Sequence, residues 1–273
     1  MVTVAPVVAL AFAVGGAVGY GVASVAQALA ARRSAGTLHT LRQPLYLVGL
    51  GCDGLAWLAS LVALRTLAVY QVQAVLAGSL AVTVLGARVV LAARLRRRDS
   101  AAVAVTVLAL VVLALSAGPQ DQIQPSGAVR FGLVTAAVLV AVCGWVAARA
   151  GSPGASAALA GLAFGGAALC ARALPLSWDV PALAADPLTW GLVGFGVTGM
   201  LLYTHALGHG QVGPVTAVLW IVEVIAPSII GVTVLHDTVR DGWAPYAVAA
   251  VLATTAAATV LATAPATAAT TPP

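Results

Sequence analysis

Apolar residues run through this chain in long blocks, and the polar residues gather between them. Blocks long enough to cross about 30 Å of hydrocarbon fall at 4–30, 43–64, 68–93, 100–117, 129–149, 154–172, 187–206, 212–235 and 243–265. The pattern predicts an all-α polytopic membrane protein with about nine transmembrane helices. Only a few residues around Arg65 separate the second block from the third. The first block outruns a signal-peptide core and has no basic leader, so it reads as a retained span. Residues 266–273 carry Pro and Thr without an apolar face and predict a disordered tail.

Composition agrees with the pattern. Hydrophobic residues make up 61% of the 273 residues and charged residues 8%, with a mean hydropathy of +1.03. Soluble domains carry about 25% charged residues. A chain with so few cannot cover a water-facing surface, which excludes a soluble enzyme, a disordered chain and a nucleic-acid-binding domain. The net charge of +5 comes from thirteen basic residues, all arginine. They lie mostly beside the spans, so they signal orientation among membrane lipids and not a nucleic-acid partner. Cys52, Cys143 and Cys170 sit inside apolar blocks without paired spacing, as small packing residues do.

Arginine bias sets the expected orientation. With the 31–42 loop in the cytoplasm, Arg32, Arg33, Arg42, Arg94, Arg96, Arg97, Arg98 and Arg149 fall on that side. Arg65, Arg130, Arg172 and Arg240 fall outside, and Arg88 lies within a span. This places the N-terminus outside and the C-terminus in the cytoplasm of an inner (plasma) membrane. The linkers 118–128 and 173–186 then both face outward.

The chain also matches itself. At an offset of 143, residues 44–76 lie over 187–219 with 11 identities in 33 positions, including Pro44-Leu45 over Pro187-Leu188 and Gly51 over Gly194. The organisation expected is a first four-helix repeat (1–117), an outer loop with a connecting fifth helix (118–150) and a second four-helix repeat (151–265). One intervening crossing inverts the second copy. Inverted repeats are an architecture of secondary transporters, which bind substrate near the midplane between copies.

The span layout, the stretch LRQPLYLVGLGCDGLAWLASLVALRTLAVYQVQAV from Leu41 to Val75 and the segment ALGHGQVGPVTAVLW together resemble the drug/metabolite transporter superfamily. The nearest likeness is to its NIPA-type magnesium transporter branch. That branch carries a glutamate beside a glycine in the second span and a proline in the next. Here Asp53 beside Gly54 takes the acidic place, Gln71 and Gln73 stand where the proline is expected, and Pro214 fills the comparable place in the second copy. The resemblance implies an inverted-repeat transporter, with a divalent cation as one candidate cargo.

Ionisable residues inside spans are the candidates for chemistry. Asp53 and Glu223, the only glutamate, are both central in their spans. Exposing either carboxylate to lipid costs at least about 2.5–3.5 kcal/mol, so each must face the interior, face water or carry a proton. Pro227 removes a helical amide and frees the carbonyl of Glu223, four residues earlier. That bare carbonyl beside a carboxylate suggests a cation or proton-coupled site. Arg88 can either snorkel to the interface or pair with an acid or an anionic substrate. Tyr20 and Gln27 can line one face of the first span, Trp57 follows Asp53 by one turn as a pocket wall, and either Gln71 or Gln73 can join them beside Tyr70. His205 and His209 are four apart but lack a third ligand at metal spacing, so no metal is assigned. Gly161 and Gly165 form a small-xxx-small patch for close helix packing.

No catalytic or nucleotide-binding motif is present, so neither an enzyme nor a cofactor is expected. The function expected is secondary transport of a small solute or ion by alternating access. Magnesium transport specifically and a non-transporting scaffold or accessory subunit of envelope assembly are the alternatives. The candidate binding or coupling residues are Asp53, Glu223, Arg88, Tyr20, Gln27, Trp57 and Gln71, with Pro227 as the kink.

Overall fold

Lipid offers the backbone no hydrogen-bond partner, so each apolar block must satisfy its own amides as a helix. Prolines mark several starts. Pro44, Pro153 and Pro187 each open a helix, where the missing N–H would have had no helical acceptor in any case. The computed structural model describes residues 6–32, 43–90, 96–118, 120, 125–175 and 179–265. The tail 266–273 and the arginines Arg33, Arg42 and Arg94 lie outside the described residues.

The first half contains α1 (Pro6–Arg32), α2 (Pro44–Leu64), α3 (Val69–Ala77), α4 (Ser79–Val90) and α5 (Arg97–Leu115). After α6 (Gly127–Arg149) come α7 (Pro153–Ala173), the short α8 (Val180–Ala185), α9 (Pro187–His209), α10 (Val212–Val234) and α11 (Ala244–Ala262). Among the described residues nine stretches are long and apolar enough to cross a membrane, with α3 and α4 together supplying one of them. The chain is an all-α, multi-pass membrane protein.

Two details differ from the expected layout. The third span is broken at Gly78, where a Cβ would lie 2.9 Å from the Val75 oxygen and 3.2 Å from Leu110 Cδ1. The missing side chain lets α5 come in close at the break. The linker 173–186 is also not wholly irregular, since α8 forms inside it.

The third and sixth spans form the centre, with 72% and 67% of their most apolar stretches buried against 11% for α6. In the first half α1 packs on α2 and α4, and in the second α7 packs on α9 and α10. The last helices of the halves, α5 and α11, pack on each other, and α3 packs on α10. These pairings survive exchange of the halves.

Candidate functional site

The site begins where α10 crosses α3. The helix α10 continues through Pro227, which leaves the Glu223 carbonyl without its helical donor. The structure supplies another donor. Gln73 Nε2 of α3 donates to the Glu223 main-chain oxygen at 3.3 Å. The carbonyl expected to be bare is therefore held by an amide from the other half of the chain.

Close packing fixes α10 in this position. A Cβ on Gly161 of α7 would stand 2.6 Å from the Leu219 oxygen and 3.1 Å from the Glu223 nitrogen. One on Gly165 would stand 2.9 Å from Pro227 Cγ. Two glycines one turn apart thus seat the Glu223–Pro227 segment directly on α7, with no side chain between the backbones.

The first half supplies the second acid. Gly49, Asp53, Ala56 and Ser60 fall on one face of α2, spaced three to four residues apart, and Gly49, Ala56 and Ser60 are buried. A Cβ on Gly49 would come within 2.7 Å of Gln27 Cγ, so Gln27 of α1 lies across Gly49. From there Gln27 Nε2 donates to Asp53 Oδ2 at 2.5 Å.

Tyr20 is near both acids. It lies on α1 about two turns before Gln27, next to the Ser60 side chain and within electrostatic reach of both Glu223 and Asp53. Tyr203 of α9 approaches Glu223 from the second half, with its hydroxyl 2.9 Å from Thr216 Oγ1. The offset of 143 relates Ser60 to Tyr203 and Gln73 to Thr216. Matched positions of the two halves therefore supply the polar groups around these acids.

Counter-charges lie elsewhere. Among the described residues the ion pairs are Arg98–Asp99, Arg130–Asp186 and Arg172–Asp237, all at helix ends. Among the described residues neither Asp53 nor Glu223 has an arginine partner, and both are half-buried. Asp53 is supported by the Gln27 amide, and an ionised carboxylate without a paired cation attracts a cation or a proton.

Three expected members are absent from this group. Arg88 is exposed in the last turn of α4, with no carboxylate partner among the described residues, as expected of an arginine that snorkels. Trp57 is 43% exposed and faces outward, while its neighbour Ala56 takes the place against Gly19 of α1. Gln71 is buried but turned away: its Nε2 donates to the Leu113 oxygen at 3.0 Å near the end of α5. His205 and His209 stack with ring centroids 4.1 Å apart, and no group of three potential metal ligands occurs among the described residues.

Sequence reasoning weighed Gln73 only as an alternative to Gln71 and missed Ser60, Tyr203 and Thr216. Pro227 did signal a carbonyl in need of a donor, but nothing local says which donor reaches it. The chain matches no protein-family model, no curated protein and no solved structure.

Proposed function

We propose that this protein is a secondary transporter that moves a small solute or ion across the cytoplasmic membrane by alternating access between its two halves. The observation that carries the reading is the pair of mid-span carboxylates, Asp53 from one half and Glu223 from the other, that have no ion-pair partner among the described residues. Such groups are expensive to keep in a membrane without a use. The resemblance to the drug/metabolite transporter superfamily and the matched pairing of helices support the same reading.

In this mechanism Glu223 is the coupling group. A proton or cation arriving there removes the charge that otherwise resists closing the site to water. Gln73 holds the neighbouring backbone, and Tyr20 is within electrostatic reach of the acids of both halves. The arginine bias places the N-terminus outside and the C-terminus in the cytoplasm.

The test is reconstitution into vesicles containing a pH-sensitive dye, with candidate solutes added outside under an imposed proton gradient. Solute-dependent proton or cation flux by the native protein should be lost in Glu223→Gln, which keeps size and much of the hydrogen bonding. Unchanged flux in that variant, with normal pH dependence, removes Glu223 from the mechanism.

A further inference from the structure

At the bundle end opposite Arg96–Arg98, the segment after α10 turns back onto the first half. His236 adopts φ 55, and Asp237 N–H donates to the Gly231 oxygen at 3.0 Å. The carboxylate then folds over Gly231, where a Cβ would stand 2.9 Å from Asp237 Oδ2. That oxygen accepts the Val69 N–H at 2.7 Å, the first amide of α3 and the positive end of its dipole. Asp237 Oδ1 accepts from Arg172 Nε of α7 at 3.1 Å, and the two side chains are only 3% and 0% exposed.

The following residues extend the contact. Gln120 Nε2 donates to the Thr238 oxygen at 2.7 Å, Ala117 and Val239 form an antiparallel bridge, and Arg240 N–H donates to the Ser116 oxygen at 3.0 Å. Residues 237–240 of the second half therefore hold the start of α3 and the end of α5. Val69 is one helical turn from Gln73, so this clasp sits directly above the amide that holds Glu223.

We propose that the Asp237–Arg172–Val69 clasp is the gate of the transport site on this side of the membrane, closed in this structure. The inference rests on the transporter reading above. A buried ion pair contributes little net stability compared with apolar packing, because desolvation offsets the attraction. Here burial raises the proton affinity of Asp237 against the opposing pull of Val69 N–H and Arg172, so desolvation is the largest influence on this carboxyl. Such a pair is a poor permanent fastener. As a gate it is well suited, because opening returns both charges to water as they lose each other, and the two states stay close in energy.

The experiment needs no substrate. Cys52, Cys143 and Cys170 are replaced, Ser60→Cys serves as a reporter beside Tyr20, and a membrane-impermeant thiol reagent is applied from the Asp237 side. Modification at position 60 is quantified by peptide mass spectrometry. Asp237→Asn should speed it about ten-fold or more by shifting the closed–open balance. A disulfide between Ala117→Cys and Val239→Cys should return the rate to the native level or below, and reduction should release it. Paired residues of an antiparallel bridge stand about 4.5–5.5 Å apart at Cα, within disulfide range.

A modification rate that the disulfide leaves unchanged overturns the gate, and this arm decides alone where Asp237→Asn fails to fold. The two proposals fail separately. Flux that depends on Glu223 with no effect of the disulfide removes only the gate. Gated labelling with flux indifferent to Glu223→Gln removes only the coupling role.

Discussion

The side-chain amide of Gln73 donates to the main-chain oxygen of Glu223 across 3.3 Å, and Pro227 is the reason that oxygen is available. Proline deletes the amide that would have closed the helical turn, and a glutamine from the opposite half takes its place. The bond ties the central helix of one half to that of the other, beside a carboxylate with no ion-pair partner among the described residues. On the transport reading proposed above such a link must be specific yet breakable, and a single neutral hydrogen bond is both.

That account predicts a coupled pair of substitutions. Gln73→Leu should lower stability by about 1–3 kcal/mol, the cost of leaving a buried acceptor unpaired. Pro227→Ala restores a helical N–H to the same oxygen, so Gln73→Leu should cost distinctly less in that background. Thermal melts of the four proteins in detergent measure the difference. Equal cost in both backgrounds means the bond to Glu223 is not why Gln73 matters.

Asp53 gives a second prediction. Asp53→Asn keeps an oxygen to accept from Gln27 Nε2 but removes the charge. Solute-dependent flux in vesicles should fall about ten-fold or more, while the melting temperature stays within a few degrees of native, since one neutral hydrogen bond is worth about 1 kcal/mol. Native flux in this variant assigns the Gln27–Asp53 pair to packing alone.

The glycine contacts predict an asymmetry between two apparently equivalent substitutions. Gly161→Ala places a methyl 2.6 Å from the Leu219 oxygen, which is backbone and cannot move cheaply. It should cost about 1–3 kcal/mol by overpacking. Gly194→Ala meets nothing within 4 Å and should be neutral or slightly stabilising, as alanine is the better helix former. Indistinguishable melting temperatures would remove the argument that α7 and α10 touch at Glu223.

Orientation is tested by single cysteines in intact cells. Cysteines at Ser126 and Asp179 should react with an impermeant reagent from outside. A cysteine at Arg98, whose side chain is 56% exposed, should react only after permeabilisation. Reaction at position 98 from outside reverses the topology argued from arginine bias.

Much of this was legible in the sequence because lipid is so restrictive a solvent. Apolar blocks had to become helices, and Pro44 and Pro187 marked the matched starts of two of them. Asp53 and Glu223 stood out because carboxylates are rare at mid-span, and Gly161 with Gly165 announced a close helix contact without naming its partner. Rotation and partnership were left to the tertiary structure. Gln71 and Gln73 are two residues apart and point different ways, and only the seating of α3 between α5 and α10 sends Gln73 to Glu223 and Gln71 to Leu113. Trp57 and Asp53 share a helical stripe, yet the crossing of α1 admits the carboxylate and turns the indole outward. Arg172 and Asp237 lie in different elements, and they meet because the chain reverses at His236. Local sequence fixes which backbone groups need partners, while the choice among distant donors depends on where packed helices bring them within 3 Å or so of one another.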